Sequence, residues 1–179
     1  MRTLIASLVP LVLLARGAAG QEPAPAPAPE DRSIELFNTH TLAKLHVTYK
    51  RGDRYDPAAL EQLNKILVDH RSGETHTMDP GLFDQLFDLA RAAGVEPRYE
   101  IISGYRSPAS NSKMAAKPGS GVAKRSLHMQ GRAMDVRLKG VTVEKLRDLA
   151  LAAKRGGVGY YRRSQFVHID TGSFRTWTG

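Results

Sequence analysis

Two histidines and one aspartate, in two distant segments, place the strongest constraint on how this chain can fold. His128 and Asp135 lie in the run SLHMQGRAMD, and His168 lies much further along the chain in FVHID. The chain has no cysteine, so histidine nitrogens and carboxylate oxygens are its candidate metal ligands. Three such ligands leave one position of a tetrahedral zinc ion open for water, which distinguishes a catalytic zinc site from a closed structural one. The sequence therefore predicts a zinc hydrolase.

The residues around the three candidate ligands indicate how they converge. Gly131 allows the chain to turn between His128 and the strand predicted to hold Asp135. In the downstream strand, alternation places His168 and Asp170 on one face, so we expect Asp170 near the open coordination position without being needed as a ligand. The other histidines lack such a context, and we interpret them as surface or core residues: His40, His46, His70 and His76.

The N-terminal residues are typical of an export signal followed by a linker. Residues 1–20 combine a positive start, an apolar stretch too short to span a bilayer comfortably and a small-residue cleavage site, which favours the general secretory route. Residues 21–30 read QEPAPAPAPE, which predicts an extended, semi-rigid tether. We therefore expect a folded domain over residues 31–179, exported to the periplasm, with no transmembrane anchor after signal removal.

The formal net charge of +8 favours an anionic partner. Nucleic acid is a common partner of basic proteins, but export argues against it and in favour of wall polymers or membrane faces. A basic face that is merely solvated explains clusters such as Arg162-Arg163 and Lys154-Arg155 at least as well. We therefore predict no nucleic-acid partner, and we expect a monomer.

Local patterns predict three helices among short strands. Asp56-Pro57 and Asp79-Pro80 each place a capping residue before a proline, with apolar residues at helical spacing behind them. A third capped helix is predicted at 142–154, and residues 119–125 are predicted to form a mobile loop at the mouth of the site. The pattern indicates an α+β fold with a small, largely antiparallel sheet. The predicted strands lie in a hairpin within 33–49 and at 98–103, 133–138, 157–161 and 165–170.

Several widely spaced motifs resemble one enzyme family. They are HxxGxAxD at 128–135, SGYRS at 103–107, GGVGYY at 156–161 and FVHIDTG at 166–172. Together they are similar to the M15-type peptidases of the wall-lytic zinc metallopeptidase superfamily, in the murein endopeptidase branch. The resemblance implies a zinc-dependent peptidase that cleaves peptidoglycan cross-link peptides in the periplasm. It also implies the fold of D-alanyl-D-alanine metallopeptidases and of the hedgehog signalling domain.

The resemblance further implies roles for individual residues. His128, Asp135 and His168 match the zinc ligands of the family, and Arg106 matches the arginine that steadies the substrate carbonyl. Two structural alternatives remain open. Arg106 could serve only as a structural residue at a strand end, and Asp135 could form a salt bridge to Arg137.

One position departs from the family pattern. Many relatives carry a glutamate or aspartate three residues before the last histidine ligand as the general base, whereas this chain has Gln165, whose amide cannot accept a proton. From the predicted strand face we assign the base to Asp170, which could equally orient a ligand or cap the turn at Thr171-Gly172. Tyr161 is a candidate substrate contact, although packing is the commoner role of such a residue.

Two other functions fit the same residues. A binding module could retain the zinc ion for stability without catalysis, as Gln165 allows. A carboxypeptidase could trim peptidoglycan stem peptides instead of opening cross-links. The choice between LD and DD bonds depends on the shape of the pocket, on which the sequence makes no prediction.

Overall fold

The computed structural model describes residues 30–179, so the predicted signal peptide and all but Glu30 of the predicted linker lie outside the described residues. No helix in the described part is long and apolar enough to cross a membrane. The helices are α1 (Pro57–Ile66), α2 (Pro80–Ala93), α3 (Pro108–Ala115) and α4 (Val143–Ala153). The strands are β1 (Arg32–Asn38), β2 (Lys44–Arg51), β3 (Arg54–Tyr55), β4 (Arg98–Ser103), β5 (Ala133–Leu138), β6 (Gly157–Tyr161), β7 (Phe166–Asp170) and β8 (Arg175–Thr178).

The three predicted helices begin at their expected caps, and α2 ends at its expected glycine. Asp56 and Asp79 accept hydrogen bonds from the free backbone N–H groups of α1 and α2, and each helix has a proline in its first turn. Gly94 ends α2 with a φ of 74°, in the left-handed region that favours glycine. Thr142 caps α4 in the same way as the two aspartates. Local sequence therefore determines where these helices lie.

All eight strands join one mixed sheet in the order β3-β2-β1-β4-β5-β7-β6-β8. Strand β1 pairs with β4 in parallel, and so does β6 with β8, whereas the other neighbours are antiparallel. The predicted α+β class is confirmed. The predicted small sheet is wrong, because the sheet has eight strands. Five of its seven pairings are antiparallel, and the other two make the sheet mixed.

The elements that the sequence did not predict lack the patterns on which prediction depends. Helix α3 buries only Ser110 and Asn111, so it has no apolar stripe. Strand β3 has two residues, and β8 has four residues that are exposed or half-buried. The predicted loop at 119–125 contains neither helix nor strand, as expected.

One face of the sheet packs against helices, and the other carries the candidate ligands. Helices α2 and α4 contact each other and the central strands. The apolar residues of α1 and α2 form one buried core with alternate residues of β5 and β7. These strand residues are Met134, Val136, Val167 and Ile169. Asp135, His168 and Asp170 alternate with these residues along the two strands and therefore point to the opposite face.

The segment between β4 and β5 lies over this second face. It carries His128, which contacts both Asp135 and His168. Two glycines of the segment pack closely against the chain that connects α1 to α2. A side chain at Gly104 would meet the Leu67 carbonyl at 2.7 Å, and one at Gly131 would overlap the backbone of residue 77.

Asp84 on α2 ties this helix to the first strands. Its carboxylate accepts hydrogen bonds from the hydroxyl groups of Tyr49 (3.0 Å) and Tyr55 (2.6 Å). It also pairs with Arg32 at 3.1 Å and Lys50 at 3.2 Å. Burial alone would raise the pKa of Asp84, but these donors hold it below its ordinary value. The carboxylate is therefore a charged anchor between helix and sheet.

We expect Asp84→Ala to lower the free energy of unfolding by about 2 kcal/mol, because the buried hydroxyl of Tyr49 loses its partner. Urea denaturation measures the change. Asp148→Ala is the control, because Asp148 is exposed and within residues 30–179 pairs only with its neighbour Arg147. The loss of stability in this variant should stay below about 0.5 kcal/mol. Equal effects of the two substitutions would contradict an anchoring role for Asp84.

Candidate metal centre

Three side chains from two neighbouring strands and a covering segment meet at one point. Asp135 on β5 is directly opposite His168 on β7 in the antiparallel register. His128 belongs to a short 3-10 helix at residues 127–130, which Ser126 caps and Gly131 ends with a φ of 66°. These three residues form the only group of potential metal-binding side chains found within residues 30–179.

The distances between the donor atoms fit a small metal ion. His128 Nε2 lies 3.2 Å from His168 Nδ1 and 3.3 Å from Asp135 Oδ1, and the last two atoms are 2.9 Å apart. With metal–ligand distances of about 2.1 Å, a tetrahedral site separates its donors by about 3.4 Å. The three residues are 2–7% exposed. The donors are therefore close to the spacing required and shielded from solvent.

Each histidine is oriented by a partner on its other nitrogen. His128 Nδ1 lies 2.8 Å from the carbonyl oxygen of Gly104, to which it donates a hydrogen bond. His168 Nε2 lies 3.0 Å from Asp170 Oδ2 and donates to it. In the neutral rings these bonds place the proton on the outer nitrogen, so the lone pairs of His128 Nε2 and His168 Nδ1 would be directed into the site.

The charges in the site favour a cation. Burial alone would raise the pKa of Asp135, but His128 and His168 hold it well below its usual range. Burial lowers the pKa of His128, which favours the neutral form that binds metals. Burial opposes charge on His168 as well, yet its hydrogen bonds to Asp135 and Asp170 raise its pKa. The group therefore combines a buried anion with imidazoles that a metal ion would bind once deprotonated.

Arg106 lies beside the three donors, as its motif predicts. One guanidinium nitrogen is 3.7 Å from Asp135 Oδ2, and the side chain is 7% exposed. Its remaining contacts are long, at 3.4 Å to Asn111 and 3.5 Å to Ser103. Its Nε has no partner among the described residues. The guanidinium therefore retains donor capacity at the edge of the site.

Arg137 does not take the place of Arg106. It pairs with Glu100 at 3.1 Å and donates to the backbone of Ser164. The salt bridge between Asp135 and Arg137 that the sequence left open is not formed. Asp135 faces Arg106 instead.

Asp170 is engaged by several donors at once. Its Oδ1 accepts hydrogen bonds from the backbone N–H groups of Gly157 and Gly172, both at 2.8 Å. Its Oδ2 accepts from His168 at 3.0 Å and from Arg175 at 2.6 Å. The residue is fully buried, and although burial opposes ionisation, these donors hold its pKa well below its ordinary value. Such a weakly basic, occupied carboxylate is better suited to orienting His168 than to accepting a proton.

The remaining candidates lie further from the donors. Gln165 is exposed in the turn before β7, and its side chain donates to the carbonyl of Arg162 at 2.6 Å. Gln165 precedes the first residue of β7 and has a φ of 54°, so it does not share the strand face of His168. Tyr161 stacks on Phe166 with ring centroids 4.4 Å apart. Its hydroxyl accepts a hydrogen bond from Trp177.

Sequence reasoning missed three groups that lie at the site. The carbonyl of Gly104 has no side-chain signal, although the motif SGYRS contains it. Arg175 binds Asp170, and Trp177 lies with its ring centroid 5.0 Å from that of His168. Both belong to β8, which no local pattern predicted.

Sequence comparison finds relatives that cover most of the chain. A family model for M15 peptidases, described as peptidoglycan L,D-endopeptidase MepK, matches residues 26–177. The chain belongs to this family. The peptidoglycan L,D-endopeptidase MepK of Escherichia coli (strain K12) is 41% identical over 173 residues, which cover 92% of this chain and 94% of the relative. The probable peptidoglycan L,D-endopeptidase MepK of Haemophilus influenzae is 37% identical over 152 residues, or 84% and 81% of the two chains.

No solved structure was found to match the chain. The family model and the two relatives confirm the family resemblance predicted from the motifs. M15 peptidases depend on a metal ion, and the group formed by His128, Asp135 and His168 could hold one.

We expect His128→Ala and His168→Ala each to abolish stoichiometric metal binding, because two donors cannot hold the ion that three hold. Metal analysis of the purified variants after dialysis against Zn²⁺ measures this. His46→Ala, in which an exposed histidine on β2 is removed, should bind metal as the unchanged protein does. Full metal content in either ligand variant would contradict the site.

Proposed function

We propose that this protein is a zinc-dependent peptidoglycan L,D-endopeptidase that hydrolyses cross-link peptides during cell-wall remodelling. The convergence of His128, Asp135 and His168, with donor atoms 2.9–3.3 Å from one another, carries the proposal. Two nitrogens and one oxygen, with a position left open, are typical of catalytic zinc. The relatives in Escherichia coli and Haemophilus influenzae, which are named for this activity, support the choice of substrate.

The residues around the donors have separate roles in hydrolysis. A bound zinc ion supplies a Lewis acid for the scissile carbonyl and lowers the pKa of water. Arg106 donates to the carbonyl oxygen as negative charge develops on it, and its burial strengthens this interaction. Tyr161 is a further candidate for substrate contact, since it is half-buried and joined to Trp177 next to His168.

Asp170 acts in this scheme by holding His168. Within residues 30–179, Asp135 and Asp170 are the only carboxylates that pair with the two histidines. Because both oxygens of Asp170 are occupied by donors, we assign it to orientation of the ring and not to proton transfer. In this scheme Asp170 takes no part in deprotonating water.

The parts of the chain outside this site have proposed roles too. Residues 1–20 direct export through the general secretory route, residues 21–30 form a linker, and residues 31–179 form the peptidase domain. We propose that the protein works as a monomer in the periplasm, and that its fold is related to D-alanyl-D-alanine metallopeptidases and the hedgehog domain. The anionic wall polymer suits the positive net charge of the chain, which is +8 in full and +6 without Arg2 and Arg16 of the proposed signal.

Digestion of defined muropeptides tests the activity. Purified protein loaded with Zn²⁺ should cleave cross-linked muropeptide dimers into monomers at LD bonds. Removal of the Zn²⁺ by a chelator should stop the reaction. Release of single terminal amino acids from stem peptides would identify a carboxypeptidase. Binding of the muropeptides without cleavage would identify a non-catalytic module.

We expect Arg106→Ala to lower turnover by roughly 10² to 10³ at saturating Zn²⁺, because a donor to the oxyanion is lost. Muropeptide cleavage rates and metal content measure the two properties separately. Arg137→Ala removes an arginine from the same neighbourhood without touching the donors and should leave both nearly unchanged. A loss of thermal stability with unchanged activity per folded molecule would support a structural role for Arg106.

We expect Asp170→Asn to weaken metal affinity by about 10- to 100-fold, because the hydrogen bond that orients His168 loses its charge. At saturating Zn²⁺ most of the cleavage rate should return. A large rate deficit in the fully metal-loaded variant would instead identify Asp170 as the general base. Gln165→Ala is the control, since its amide cannot act as a base and its substitution should have little effect on either property.

A further inference from the structure

The last strand, β8, is aligned with the metal centre across the sheet. Asp135 on β5 is opposite His168 on β7, which is opposite Gly159 on β6, which in turn is opposite Trp177 on β8. Residues in one such row share a face of the sheet. Trp177 therefore belongs to the same face as the donors, with only Gly159 between it and His168.

Gly159 leaves space that the Trp177 ring fills. A Cβ at this position would lie only 2.5–2.7 Å from three atoms of the indole ring. With no side chain there, the ring reaches over β6 and comes within 5.0 Å of the His168 ring, centroid to centroid. Its N–H donates to the hydroxyl of Tyr161 at 3.1 Å, which fixes the orientation of the ring.

The same arrangement repeats two residues away. Gly157 is opposite Arg175, and a Cβ at Gly157 would lie 2.6 Å from the Arg175 guanidinium. Arg175 reaches over β6 and binds both oxygens of Asp170, at 3.1 and 2.6 Å. Its guanidinium carbon also lies 5.2 Å from the centroid of the Trp177 ring.

Strand β8 contributes little to the core that would otherwise explain its position. Three of its four residues are exposed, and only Trp177 is half-buried. It pairs with β6 alone, at the edge of the sheet. Its main contacts with the interior are those of Arg175 with Asp170 and of Trp177 with His168.

We propose that β8 is a functional part of the metal centre, in which Arg175 and Trp177 are positioning residues for His168. Arg175 fixes Asp170, which fixes the Nε2 side of the ring, and Trp177 packs against the ring itself. Gly157 and Gly159 are required because any side chain there would separate β8 from the site. This inference rests on the proposed metal site.

Metal affinity of variants in β8 and β6 tests the proposal. Competition with a chromophoric chelator gives the dissociation constant for Zn²⁺ of Arg175→Gln, Trp177→Ala and Gly159→Ala. We expect each to bind Zn²⁺ about 10- to 100-fold more weakly than the unchanged protein. Trp177→Phe keeps an aromatic ring against His168 and should restore affinity to within about threefold. Thr176→Ala, on the other face of β8, is the matched control and should bind normally.

Two further measurements separate positioning from general stability. Trp177 is the single tryptophan of the chain, so its fluorescence should change when Zn²⁺ binds the protein and should lose this response in Gly159→Ala. Co²⁺ in the site should show an altered visible absorption spectrum in Arg175→Gln at saturating metal, because the geometry at His168 is relaxed.

Unchanged Zn²⁺ affinity in Arg175→Gln and Trp177→Ala would overturn the inference. The inference would also be overturned if the loss of Zn²⁺ affinity across the variants followed the loss of thermal stability of the metal-free proteins. That result would show that β8 acts only on the fold. Failure of the unchanged protein to bind stoichiometric Zn²⁺ would instead overturn the proposed metal centre.

Discussion

The antiparallel pairing of β5 with β7 is the constraint on which the site depends. It places Asp135 directly opposite His168, so that two donors meet without any contribution from loops. The same pairing sends their neighbours Val136 and Val167 into the core, where burial against the helices stabilises the register. A slip of one residue would exchange the two sets, exposing apolar side chains and burying unpaired charges. Hydrophobic packing on one face thus fixes the chemistry of the other.

Burying a carboxylate, two imidazoles and a guanidinium together is costly unless their charges are balanced. Several hydrogen-bond and charge partners lower this free-energy cost. Gly104 and Asp170 each accept a hydrogen bond from an outer nitrogen of a histidine, and Arg106 offsets the charge of Asp135. The geometry that lowers this cost also directs the inner lone pairs towards one point, so stability and metal binding favour the same arrangement.

Prediction from the sequence succeeded where the signal is local. The Asp-Pro pairs located the first two helices, and the motif around His128 identified the candidate donors, which the structure brings together. It made no prediction where the determining contacts join distant residues. Arg175 and two backbone N–H groups occupy the Asp170 carboxylate, and neither an edge strand nor a cross-strand row leaves a periodic pattern in the chain. The parallel pairing of β6 with β8 is a long-range choice of the same kind.

The covering segment between β4 and β5 gives the site a mechanical property. Two of the three donors belong to the rigid sheet, whereas His128 belongs to this segment, which also contains a helix with almost no core contacts. A metal ion at this point would act as a cross-link between two layers of the protein, with His128 as the attachment point of the upper layer. Loading with metal would then hold the segment against the sheet, so the relative position of the two layers would be set only in the loaded protein.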